Sequence, residues 1–198
     1  MFSQRRRPLT AAHSRTQFDV GFSLLEVMLT IVIIGLMTSM AVVQIGTARQ
    51  AINGDSNMRV VLAQLNLARE LSISQRRTIR LDFVAPNTLR IVRNEIPAGT
   101  TMLSSAVFEG HVEYLLLPGL PDTPDALGRA QAVDFGAAVT ILFNSDGTLI
   151  DQQGRPINGT VFLAVRGGTD RSARAITVLG ATGRVRAYRW TGAEWIRA

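Results

Sequence analysis

The chain contains no cysteine. Neither a disulfide framework nor a thiol site is available, so an exported domain must rest on its packed core. Histidine is nearly missing as well. His13 lies ahead of the first apolar run, which leaves His111 alone with no cysteine or acidic cluster at ligand spacing, and no metal is expected. All 21 basic side chains are arginine and none is lysine, a usage that reads as coding bias more than function. Asp122, Asp125 and Asp134 are spread through a proline-rich loop and lack the dense alternation of a calcium loop. There is no internal repeat, no low-complexity tract, no phosphate-binding glycine fingerprint and no nucleophile–base arrangement that spacing supports. Neither catalysis nor a cofactor is expected.

What the chain does have is a run from Val27 to Ala48 without a single charge. As a helix it would extend roughly 33 Å, enough for a bilayer core of about 30 Å. One carboxylate, Glu26, opens that run, four residues after Phe22, which directly follows Gly21. An acid deep in a bilayer costs about 2.5–3.5 kcal/mol and needs a partner; at headgroup level the cost is small. Ahead of the span, Arg5, Arg6, Arg7 and Arg15 face one acid, Asp19. Positive charge there holds that end in the cytoplasm and sends the following domain outward. A secretory signal cleaved after Gly46-Thr47-Ala48 is the rival reading, but this apolar region exceeds the usual 7–15 residues or so and has no use for Glu26.

The segment GFSLLEVMLTIVIIG closely resembles the N-terminal processing motif of type IV prepilins and type II secretion pseudopilins. The resemblance implies that a prepilin peptidase cuts after Gly21 and that Phe22 becomes an N-methylated new terminus. It further implies that Glu26 pairs with the Phe22 amine of a neighbouring subunit, setting axial register. The physics agrees: an ammonium and a carboxylate in a low-dielectric bundle remove each other's unpaired-charge penalty.

Beyond the span, Ile52, Val61, Leu65, Ala68 and Leu71 recur at helical spacing, with weak points expected at Gly46 and at Asn53-Gly54-Asp55-Ser56, where Asp55 or Ser56 would cap a restarted helix. After Gln75 the period becomes two. Residues 78–83 and 88–93 form a hairpin around Ala85-Pro86-Asn87, and further strands are expected near 112–117, 139–143, 159–165, 173–179 and 184–190. The expected fold is α+β and pilin-like, one long helix on a mostly antiparallel sheet. The expected divisions are a leader at 1–21, a transmembrane helix at 22–48, an amphipathic continuation at 49–75 and a periplasmic β-rich domain at 76–198.

Ala68-Arg69, Phe143-Asn144-Ser145-Asp146-Gly147 and Thr182-Gly183-Arg184-Val185-Arg186 resemble the GspH/FimT family of minor pseudopilins. Two stretches depart from that pattern: the long loop from Pro118 to Ala137 and the extension at 187–198. The resemblance implies a fibre subunit of a type II secretion pseudopilus or type IV pilus, anchored in the inner membrane, with other pilins and the prepilin peptidase as partners. The alternative is DNA binding during uptake. From Arg155 onward eight arginines face Asp170 and Glu194, a net of +6, and Arg184, Arg186 and Arg189 sit on one aromatic-containing strand. Strand alternation puts Arg184, Arg186 and Tyr188 on one face, which without a ligand is a solvated face that discourages edge pairing.

Overall fold

The computed structural model of the chain describes residues 22–198, without the side chains of 41–44 and 47; the expected leader, with Gly21, lies outside the described residues. The chain divides into two compact units, Met1–Ala41 and Val42–Ala198. A single helix, α1 (Leu24–Gln75), contributes to both. The weak points expected at Gly46 and 53–56 are therefore not breaks, and neither Asp55 nor Ser56 is a cap.

Within the second unit, α1 buries Gly54, Asn57, Met58, Val61, Leu65, Ala68 and Ser72, a three–four repeat that makes one continuous stripe. Ile52, expected on that stripe, is instead 64% exposed. Eleven strands follow among the described residues: β1 (Ile79–Val84), β2 (Thr88–Asn94), β3 (Thr100–Val107), β4 (Val112–Tyr114), β5 (Val133–Asp134), β6 (Ile141–Phe143), β7 (Leu149–Ile150), β8 (Gly159–Val165), β9 (Arg174–Leu179), β10 (Arg184–Trp190) and β11 (Trp195–Arg197). They form two antiparallel sheets rather than one, ordered β3-β2-β1-β6-β7 and β11-β10-β9-β8-β4, with β5 also paired to β8. Met58, Val61, Leu65 and Ala68 of the helix share one core with Leu81 and Ile91 of the first sheet and with Val161, Leu163, Ile176 and Val178 of the second. The expected α+β architecture, a long helix packed on antiparallel sheet, is what the chain adopts.

The helix is held to the second sheet by a buried arginine. Arg174, at the start of β9, is 0% exposed. Its Nε donates to Asp55 Oδ1 at 2.6 Å, Nη2 to the Ala51 carbonyl at 2.9 Å, and Nη1 to the carbonyls of Arg171 and Ala173, both at 2.8 Å. Gly54 makes room for this. A Cβ there would lie 2.7 Å from the Ser172 carbonyl oxygen and 3.3 Å from Arg174 Cζ. One turn on, Asn57 clamps the backbone of Glu109, accepting from its N–H at 3.1 Å and donating to its carbonyl at 2.9 Å. The polar cluster that reads as a helix break is thus the helix's docking edge.

Two substitutions separate docking from helix propensity. Gly54→Ala should lose about 1 kcal/mol of stability, because crowding at a packed site (about 1–3 kcal/mol) outweighs the gain of about 1 kcal/mol from alanine. Gly46→Ala, with nothing within 4 Å of its added Cβ, should leave stability unchanged or higher. Arg174→Met should cost about 3 kcal/mol, the low end for breaking a buried pair, since the Asp55 side chain is 31% exposed. Denaturant midpoints of the full chain in detergent check all three.

Candidate functional site

At its N-terminal end α1 begins after Ser23, which caps it. The Glu26 N–H donates to the Ser23 carbonyl at 3.0 Å and lies 3.4 Å from Ser23 Oγ. Ser23 and Glu26 thus stand at capping-box spacing, with the Glu26 carboxylate in the positive first turn of the helix. Sequence reasoning centred on Glu26 missed this local role, although the Ser-x-x-Glu spacing signals it. Glu26 makes no ion pair among the described residues.

Every side chain from Phe22 to Met40 is exposed, and Glu26 is the one charge among them. Phe22 itself is 81% exposed. The few hydroxyls turn inward on their own backbone: Thr30 donates to the Glu26 carbonyl at 2.8 Å and Thr38 to that of Ile34 at 2.7 Å. A helix apolar on all sides is normally enclosed by other protein or by lipid. Each Leu or Ile left in water forgoes about 1.5–3 kcal/mol of burial. Among the described residues, no helix is long and apolar enough to cross a membrane. Five side chains of the expected span, at 41–44 and 47, lie outside that description.

The C-terminal arginines have a different fate from the one their density suggests. Four of the eight are paired with acids from earlier in the chain: Arg155 with Asp151 at 2.9 Å, Arg166 with Glu113 at 2.7 Å, Arg174 with Asp55 at 2.6 Å, and Arg186 with Asp125. Much of the net charge of this stretch is cancelled within the fold. Arg184 and Arg186 share the outer face of β10 with Tyr188 and Arg189 falls on the other face, both as strand alternation implies. Asp125 engages most of that outer face. Besides Arg186, it accepts from Tyr188 Oη at 2.8 Å and from Thr177 Oγ1 at 2.7 Å. Tyr188 is buried, so its ring offers no stacking surface.

Asp125 belongs to the long loop from Pro118, which lies across the outer face of the second sheet. Leu120 packs there with Phe162, Ala175, Tyr188, Trp190 and Trp195. Trp195 of the C-terminal extension donates from Nε1 to the Pro121 carbonyl at 2.9 Å. The long loop and the stretch 187–198 therefore meet each other. Burial pushes the Asp125 carboxyl up, but hydrogen bonds from Thr177 and Tyr188 and the Arg186 guanidinium outweigh it and hold it below the usual carboxylate range. Burial, with the Asp125 charge beside it, raises Tyr188. The other loop acids are also spoken for. Asp134 accepts the N–H groups of Ala130 and Gly136 at 2.6 and 3.0 Å, and Asp122 accepts that of Thr123 at 2.6 Å. No group of metal-binding side chains occurs among the described residues, and His111 adopts a positive φ of 60° in the turn before β4.

The three short motifs, far apart in sequence, converge at the other end of the helix. Arg69 Nε donates to the Gly147 carbonyl at 3.3 Å. Gly147 (φ +82°) closes the β6–β7 turn, where a Cβ would meet Ile73 Cδ1 at 2.8 Å. Gly183 (φ +61°) closes the β9–β10 turn, where a Cβ would meet the Gly147 carbonyl oxygen at 2.0 Å and Arg69 Nε at 2.8 Å. Spacing alone gives no hint of this meeting.

No family model matches the chain, and no curated protein does. Among solved structures it is similar to the type IV minor pilin FimU of Pseudomonas aeruginosa strain PAO1 in two crystal forms. One has a TM-score of 0.47 at 18% identity, covering 72% of this chain and 91% of that one. The other has a TM-score of 0.46 at 18% identity, covering 72% and 96%.

The latch at Asp125 has a defined pH signature. A carboxyl held below its ordinary value contributes stability that is full above that value and lost as pH falls through the lowered one. Docking of the loop should therefore be constant from neutrality down to about pH 4 and fail only below it. Asp125→Asn should loosen it at every pH. Both tryptophans of the chain, Trp190 and Trp195, sit in this cluster 5.3 Å apart, so intrinsic fluorescence reads the outcome directly.

Proposed function

We propose that the chain is a non-catalytic subunit of a type IV pilus or type II secretion pseudopilus, cut after Gly21 by a prepilin peptidase and methylated at Phe22. Before assembly it is held in the inner membrane by the charge-free run 27–48, with the domain that follows on the periplasmic side. On extraction, the same apolar helix packs among those of other pilin-like subunits, and Glu26 meets the Phe22 amine of a neighbour. The observation that carries this reading is the segment from Phe22 to Met40, helical from Leu24, exposed and apolar all round, with one acid in its first turn. Such a surface has no use in a free monomer. It suits lipid first and sister helices afterwards, because both enclose it completely.

Glu26 fits this better than any role within its own chain. The helix N-terminus already stabilises its charge by about 0.3–1 kcal/mol, and an amine brought alongside by a neighbour completes the compensation. Of the eight arginines from Arg155 onward, four are taken up by acids of the same domain.

Mass spectrometry of the native protein should find a mature end at methylated Phe22. An intact leader, or an end elsewhere, would overturn the reading. Glu26→Ala should leave cleavage intact and reduce recovery in sheared fibres at least tenfold; normal incorporation would remove the pairing between Glu26 and Phe22.

A further inference from the structure

Where the three motifs meet, a cleft of about 500 Å³ opens between α1 and the β9–β10 turn, lined by Asn66, Arg69, Thr182 and Arg184 among others. Its two guanidiniums are prepared differently. Arg69 spends Nε on the Gly147 carbonyl at 3.3 Å, which orients the guanidinium while its Nη groups meet no acceptor among the described residues. Arg184 has its backbone N–H near Thr182 Oγ1 at 3.4 Å, its side chain is exposed, and it makes no ion pair among the described residues. The acid of the adjoining turn neutralises neither one. Asp146 is turned to Thr148, accepting from its hydroxyl at 2.6 Å and its N–H at 2.9 Å. Gly183 keeps the cleft open, since a Cβ there would collide with Arg69 and the Gly147 carbonyl.

We propose that this cleft binds an acidic side chain presented by a neighbouring protein subunit. Two guanidinium forks beside an amide and a hydroxyl make a donor set matched to one carboxylate. Four arginines of the later chain, Arg155, Arg166, Arg174 and Arg186, are already answered by the fold's own acids. Arg69 and Arg184 are left without one. A nucleic-acid backbone is the poorer match. It is gripped by a track of cations, about 6–10 for a duplex, and here the track ends at once. Arg186 is held by Asp125, and Arg189 stands on the opposite face of the strand. The pair of arginines is compact and concave, the shape for a single carboxylate. That the partner is a subunit rests on the fibre reading; the binding chemistry does not.

The test uses the full chain in zwitterionic detergent and fluorescein-labelled hexaglutamate, followed by anisotropy at low salt. Wild type should bind, and Arg184→Glu should weaken binding about tenfold or more. Arg69→Gln should do the same, while Arg90→Gln on the other sheet should leave binding unchanged. Because Arg184 is exposed, its variant should keep the wild-type thermal midpoint. Equal binding by wild type and Arg184→Glu would overturn the proposal. So would preferential binding of a DNA duplex, or displacement of the peptide by inorganic phosphate at matched charge. Peptide binding that survives beside an uncut leader would sink the fibre reading and leave the site standing.

Discussion

The second unit depends on one buried contact, the guanidinium of Arg174 under the helix turn that carries Ala51, Gly54 and Asp55. Taking an arginine out of water is costly unless each N–H finds an acceptor. Here three carbonyls and one carboxylate meet four of its five N–H groups, and they come from the helix, from the short turn Asp170–Ser172 and from Ala173 just before β9. The contact is directional where the hydrophobic stripe is not. Met58, Val61, Leu65 and Ala68 would tolerate sliding along the sheet, but a fork of hydrogen bonds accepts only one register. The Asn57 clamp on Glu109 fixes the same register from the other side.

The same logic governs the surface. A basic C-terminal stretch following a more acidic one looks, on paper, like a patch for a polyanion. Folding brings the two together, so that Asp55, Glu113, Asp125 and Asp151 each meet an arginine from beyond residue 154. Charge that is segregated along the chain is thereby mixed in space. Two features stay open to something else: the apolar, exposed first segment of α1, and Arg69 and Arg184, which line one cleft with no acid paired to either among the described residues.

The long helix, the first hairpin and the strands β8 to β10 were legible because their apolar residues keep one period for six residues or more. The hairpin at Ala85-Pro86-Asn87 is a clear instance. Strand β3 escaped notice because it carries no charge to alternate with, and its register against β2 shifts between Ile91 and Val92. Strands β7 and β11 are two and three residues long, too short for any period. Asn53-Gly54-Asp55-Ser56 misled because turn-forming residues and docking residues are the same residues; what differs is a partner far away in sequence. Of the site, Glu26 and Phe22 stood out by position, whereas Arg69 became meaningful only when tertiary structure brought it to Gly147 and Gly183.

The loop crossing the second sheet and the C-terminal extension each cover apolar surface that the other supplies, with Trp195 and Pro121 as the join. Neither is a free appendage. A relative that lost the extension would leave Leu120 and Phe162 facing water, and one that lost the loop would strand both indoles. The two segments thus depend on each other: each supplies the cover that keeps the other's apolar side chains out of water.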